Sequence, residues 1–277
     1  MKNSSIIITM AIILSSGLIS GIEITAPMRW HCEGHLLRFV PRTERNFTEG
    51  MLDNSVDLLS AKFDDDIELD LFAGATIWTG MGYQWEDIVF DPRDMHYSLA
   101  PGFRAKLWQY LLTFQWLHDC FHEVDRKTEP TIIWNAYELR FSPHKYISYR
   151  RREIQQTQIA QTVEILPSFD WEIYFAIFPR LHEIFWFQYK HPFSTHLGAN
   201  LYLGLLKYKT LLLEFDYTPT LWTKYGGGVC HRQYFQLAIT YFAKYGTFTT
   251  FWGYTAYENQ PIRPQQHLVK FGFNWKL

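Results

Sequence analysis

Past residue 21 the chain lacks any apolar run long enough to cross a bilayer as a helix, which takes about 20 residues. That excludes a helical membrane protein. Cysteine is scarce as well. Cys32, Cys120 and Cys230 are too few for a disulfide framework, although one pair can bridge in an oxidising compartment. No excess of charge of one sign exists either. The 26 Lys and Arg stand against 28 Asp and Glu, a net −2, so the electrostatic footprint of a nucleic-acid binder is missing.

What is abundant is aromatic: 22 Phe, 17 Tyr and 11 Trp make 18% of the chain. Mean hydropathy is nevertheless −0.18. Strands that alternate between lipid and a polar lumen, girdled by aromatics at both interfaces, reconcile the two numbers. At the N-terminus, Lys2 precedes an apolar run from Ile6 to Ile19, and Ile19-Ser20-Gly21 offers small residues for cleavage. Residues 1–21 therefore read as a signal peptide. Residues 22–54 read as a periplasmic lead-in or irregular segment, and 55–277 as the barrel. In that reading His31, Cys32 and His35 belong to the lead-in rather than to a metal site.

The C-terminal half repeats one pattern, about ten residues of period-2 alternation and then a turn. Val269, Phe271, Phe273, Trp275 and Leu277 share one face, opposed by Lys270, Gly272, Asn274 and Lys276. Phe248, Trp252 and Tyr254 oppose Thr249, Gly253 and Thr255. Leu211, Leu213 and Phe215 oppose Glu214 and Asp216. Ile173, Phe175 and Ile177 oppose Glu172 and Tyr174. Connections at 207–209, 244–246 and Pro179-Arg180 are tight, whereas 218–231 and 258–266 are longer and rich in Gly, Pro, Asn or Gln. This predicts periplasmic turns alternating with extracellular loops.

Earlier strands are expected at 55–62, 66–78, 96–106, 109–119 and 131–142, with 146–151 as a further one before a polar stretch, Arg152–Gln161, read as an extracellular loop. The fold class is thus an all-β antiparallel transmembrane barrel of about 12 strands, with 14 as the alternative, in the bacterial outer membrane. The parity of the strands points Glu172, Asn200, Glu214, Asp216, Gln236 and Lys270 into the lumen, and a barrel this size is filled by its own side chains.

One segment carries candidate chemistry: His118-Asp119-Cys120-Phe121-His122-Glu123-Val124-Asp125-Arg126, followed on the next strand by Trp134-Asn135. Trp108, Tyr110, Leu112, Phe114 and Trp116 form the lipid-facing set, so the same parity carries His118, Cys120 and His122 to the outer wall. Asn135 shares the parity of Tyr137, Leu139 and Phe141. Polar groups facing hydrocarbon are costly and call for a reason. One reason is a nucleophile, base and orienter: Cys120 attacks an ester, His118 moves the proton, and Asn135 holds the imidazole tautomer. His122, Asp125 and Arg126 would then bind a lipid head group or a cation. The other reason is a hydrogen-bonded belt at the rim. His118 and His122 stand about 13 Å apart on an extended strand, too far to share one ion, so no metal is expected.

The arrangement resembles outer-membrane phospholipase A, which sets a His-x-Ser pair on one strand and Trp-Asn on the next, outside a twelve-stranded barrel. His118, Asn135 and Trp134 match; Cys120 replaces the Ser, and Phe121-His122 replaces an Asn-Gly. Locally the segment is also similar to a family of uncharacterised outer-membrane barrels with His-x-Ser-Ser-His-x-Gly-Asp-Glu. His118, His122 and Asp125 match it, Val124 replaces the Gly, and the likeness covers roughly residues 37–142. The first resemblance implies lipid acyl hydrolysis with Ca²⁺ as the one cofactor in view; the second implies the fold alone. The final strand is similar to the terminal strand read by the barrel-assembly machinery, with Leu277 in place of a terminal Phe. The function expected is therefore a structural or binding role among outer-membrane lipids, with acyl hydrolysis and a narrow pore as alternatives. Counting back through the turns, with 146–151 as a strand, sets 119–131 outside the cell; without that strand the count moves the motif to the periplasmic rim.

Overall fold

The computed structural model describes residues 22–43, 46–82, 91–124, 131–143, 164–179, 193–262 and 264–277. The expected signal peptide, the strand at 146–151 and the stretch Arg152–Gln161 lie outside them. Thirteen strands run through the described residues: β1 Glu23–Thr25, β2 Arg29–Val40, β3 Thr48–Lys62, β4 Ile67–Gly82, β5 Asp91–Leu107, β6 Tyr110–Glu123, β7 Ile132–Pro143, β8 Glu164–Ile177, β9 Phe193–Tyr208, β10 Leu211–Lys224, β11 Val229–Phe242, β12 Thr247–Glu258 and β13 Val269–Lys276. From β2 onward each pairs antiparallel with the next, and β13 returns to β2 with Val269 facing Val40 and Lys276 facing Glu33. Twelve strands thus close a barrel, which leaves no open edge. The short β1 pairs with β3 beyond the end of β2, Thr25 facing Ser60 where Arg29 faces Asp57. It prolongs the first strand past a break at 26–28, where Met28 adopts φ 44°.

The barrel begins well before residue 55. The segment expected to be a lead-in supplies β1, β2 and the first half of β3, so His31, Cys32 and His35 lie on a barrel strand. His31 and His35 face acids inside, Asp57 at 3.2 Å and Glu49 at 3.4 Å. All three cysteines are free, so no pair bridges.

Two solvents explain the alternation. Leu36, Leu52, Ile77, Phe103, Leu139, Phe175, Leu203, Phe215, Leu237, Trp252 and Phe271 stand exposed on the outside. Their neighbours in sequence turn inward, where Asp57, Asp70, Gln115, Glu138, Glu214, Asp216 and Thr240 are buried. In lipid every backbone polar group must be satisfied internally, which a closed barrel achieves. An apolar, aromatic exterior around a polar interior is the outer-membrane arrangement, and the bilayer this chain occupies is the bacterial outer membrane.

Sidedness follows from the connections. Turns 63–66, 108–109, 209–210 and 243–246 leave the end that carries the C-terminus, and Trp108 and Lys209 take left-handed φ of 53° and 52° to make two-residue turns. In turn 63–66 the Asp64 carboxylate accepts the N–H groups of Asp66 and Ile67, both at 2.8 Å, so this acid run serves a turn. Connections 41–47, 83–90, 124–131, 178–192 and 259–268 leave the opposite end and are longer; the tight turn expected at Pro179-Arg180 is replaced by the 15-residue connection 178–192 between β8 and β9. The connection expected over 218–231 shrinks to 225–228, because β10 and β11 continue their ladder out to Thr223 facing Val229. Short turns mark the periplasmic side, and four of the five connections at the C-terminal end are short, 144–163 between β7 and β8 being the long one. β7 pairs directly with β8, Tyr137 facing Ile177, so no strand separates them. Pro143 and Glu164 therefore sit at the periplasmic end, and 124–131 opens outside the cell. His118 to Glu123 therefore lie toward the extracellular end of β6.

The lumen is crossed by ionic and aromatic contacts. Arg140 bonds Glu138 at 2.5 Å and Glu172 at 3.3 Å; Asn200 donates to Glu172 at 3.0 Å and Gln236 to Asp216 at 3.0 Å. Lys270 lies over the rings of Phe39 and Tyr234. Higher up, Phe178, Phe193 and Cys230 pack with Trp134, Trp222 and Ile262 of the loop 259–268. A barrel filled this way passes little current. Planar-bilayer recording is expected to show no steady nanosiemens-scale openings; sustained openings of that size would contradict the filled lumen.

Candidate functional site

The site stands on the outer wall of β6 and β7. Regular pairing brings Trp116 opposite Tyr137, His118 opposite Asn135, and Cys120 opposite Ile133. On the other flank, β5 sets Leu99 beside His118, Tyr97 beside Cys120 and Met95 beside His122. Because the side-chain period is 2, His118, Cys120 and His122 share the lipid-facing side with Phe114.

The His118 Nδ1–H donates to Asn135 Oδ1 at 2.9 Å. This bond fixes the imidazole tautomer with Nε2 as the acceptor. Among the described residues Nε2 has no hydrogen-bond partner. Asn135 is 7% exposed, so the pair is recessed while still on the outer face. The row below is Trp116 and Tyr137, with Tyr137 stacked on Phe114 at 6.3 Å between ring centroids and 8° between planes. Trp and Tyr settle at membrane–water interfaces. One row further out, His118 and Asn135 therefore stand at the level of lipid esters and head groups rather than in the hydrocarbon middle.

Of the residues expected to form the site, His118 and Asn135 are brought into contact. Cys120 lies beside them, two strand residues or about 6.8 Å along from His118, and among the described residues its Sγ makes no hydrogen bond to either. His122 packs against Tyr97 at 5.4 Å, and its Nε2 is buried without a hydrogen bond among the described residues. Asp125 and Arg126 lie outside the described residues. Trp134, although adjacent to Asn135, points into the lumen, where it meets His96 at 5.4 Å. No three His, Cys, Asp or Glu side chains converge as metal ligands among the described residues.

The motif reading missed what lies between its members. Asp119 turns inward between His118 and Cys120 and bonds His96 at 2.8 Å. The signal for it was the parity of β6 itself, which puts an acid in the lumen opposite His96 only once β5 is aligned on β6.

No family model matches the chain, and no curated protein matches it. It is similar to solved outer-membrane barrels. One is a loop L8 deletion mutant of OmpT, an outer membrane protein of Vibrio cholerae, with TM-score 0.40 and 7% identity over 93% of this chain and 99% of that one. Another is in-vitro folded OmpT of the same organism, with TM-score 0.38 and 7% identity over 95% and 99%.

Proposed function

We propose that this outer-membrane barrel holds lipid of the outer leaflet at a polar patch on its outer wall, formed by His118, Asn135 and Cys120. The observation that carries the reading is the His118–Asn135 hydrogen bond on a lipid-facing surface, one row outside Trp116 and Tyr137. A polar pair there is costly unless something polar meets it. The unpartnered Nε2 of His118 accepts a lipid hydroxyl or amide. His122 lies at the loop end of the patch, and Asp125 and Arg126 follow it in sequence, so head groups are the parts they would bind. The partners of the protein are then membrane lipids, together with the assembly machinery that would read Phe273, Trp275 and Leu277.

A second reading, acyl hydrolysis, is favoured by the same bond, because Asn135 orients the imidazole as a base requires. In that reaction the Cys120 thiol proton passes to His118 Nε2 while Sγ bonds to the ester carbonyl. The ester C–O bond breaks, the alcohol leaves with the proton, and water then cleaves the thioester to a fatty acid. The Cys120 in place of Ser keeps this reading second.

The test is purified protein in mixed micelles with phospholipid or lipid A, with and without Ca²⁺, comparing wild type with His118→Ala, Asn135→Ala and Cys120→Ala. Native mass spectrometry is expected to show lipid retained by wild type and about tenfold less by His118→Ala, the loss of one good hydrogen bond to a buried partner. Equal retention by all four proteins would end the binding reading. Fatty acid released by wild type and abolished by both His118→Ala and Cys120→Ala would promote hydrolysis to first place; release that survives both would remove these residues from it.

A further inference from the structure

We infer a second binding site, inside the barrel on the luminal wall of β4 to β7 near the outer mouth, that takes a sugar ring without acidic groups. Two registered rows build it. Trp78, His96 and Phe121 form one; Ser98, Asp119 and Trp134 form the next. His96 is at the centre. Trp78 stacks on it at 4.5 Å and 18°, Trp134 tilts against it at 5.4 Å, and Phe121 meets it edge-on at 6.4 Å. Its Nε2–H donates to Asp119 Oδ1 at 2.8 Å.

That bond leaves the His96 Nδ1 as an acceptor and the second Asp119 oxygen uncommitted, since neither makes another hydrogen bond among the described residues. The His96 side chain is 26% exposed and that of Asp119 8%, so the imidazole opens to the lumen with the carboxylate set behind it. Below it the wall steps back. Gly74 there faces Ala100. At two other luminal glycines a tyrosine ring occupies the space of the missing side chain: Tyr174 at Gly198 and Tyr234 at Gly253. At Gly74 no ring enters, and the nearest atom to a Cβ would be the Ala100 carbonyl oxygen at 3.4 Å.

An aromatic wall, two acceptors fixed side by side and a recess of small residues are what a pyranose requires. Its C–H face lies on an indole, and adjacent hydroxyls donate to the imidazole and the carboxylate. Charge narrows the class. The site already holds the Asp119 carboxylate, which disfavours carboxylated or phosphorylated sugars.

The experiment uses the full barrel folded in detergent and follows tryptophan fluorescence during titration with N,N′-diacetylchitobiose (chitobiose below), a neutral disaccharide, and in parallel with glucuronic acid. Chitobiose is expected to give a saturable change and glucuronic acid none. Asp119→Asn and Trp134→Phe are each expected to weaken the chitobiose midpoint about tenfold or more, with heat-modifiable gel migration confirming that both variants still fold. No saturable change in wild type would overturn the site, and so would an undiminished response in both variants. An equal response to glucuronic acid would overturn the assigned ligand class.

Discussion

Asp57→Ala is expected to lower the unfolding free energy of the barrel in lipid vesicles by about 3 kcal/mol, the low end of the cost of stripping a buried ion pair of one partner. Asp57 is 2% exposed and is the acceptor for three side chains from two strands: Arg29 Nε at 3.1 Å and His31 Nε2 at 3.2 Å from β2, and Arg104 Nη1 at 3.1 Å from β5. Removing it leaves cations facing each other near the periplasmic mouth. The low end applies because the Arg29 side chain is half exposed, and because Arg29 keeps Asp70 at 3.3 Å as a second partner. Urea titration followed by tryptophan fluorescence measures the loss. The control is Asp65→Ala in the exposed turn 63–66, which breaks the 2.7 Å pair with Lys62. That pair is solvated, and no measurable change is expected. Equal midpoints for both variants would show that the luminal network adds nothing to stability.

Leu139→Arg is expected to cost about 1–2 kcal/mol, between the midplane and interface values for a cation on the lipid face, whereas Val229→Arg is expected to cost about 0–1 kcal/mol at the interface. Leu139 is exposed on the outer wall, opposite Phe114 on β6 and Phe175 on β8. It lies one row toward the membrane centre from Trp116 and Tyr137. Val229 is equally outward but begins β11 at the extracellular end. The same vesicle assay compares them. Equal costs would contradict the depth assigned to the aromatic row, and with it the level of the His118–Asn135 pair. A tolerated arginine at 139 would mean that the faces of β7 are reversed.

Much of the barrel is legible in the order of residues. On β8 to β13 the inner and outer faces differ in chemistry over most of their length, so parity alone separates Glu214 and Asp216 from Leu213 and Phe215. The strand β2 is not legible in that way. Until Leu36 its faces carry Trp30, Cys32 and Gly34 outside and His31, Glu33 and His35 inside, which show no apolar side. Its polar residues become ordinary luminal ones only beside partners far along the chain: Glu33 accepts from Asn274 at 2.6 Å and pairs with Lys276 at 2.8 Å. Nothing local announces such contacts.

The candidate site divides in the same manner. Parity set His118, Cys120 and Asn135 on one wall, because a strand's side chains must alternate. That His118 and Asn135 touch, that Cys120 stands off from both, and that Asp119 meets His96 on the opposite side were decided by the register between strands. Register is set by the closed ladder from β2 round to β13 and by the turns that join it. The local sequence therefore determined the fold class and the face of each residue, through the contrast between lipid and lumen. Tertiary structure alone decided where the barrel starts, which charges meet in its interior and which polar groups become partners, since each of those depends on strands aligned across sequence distances that no local pattern encodes.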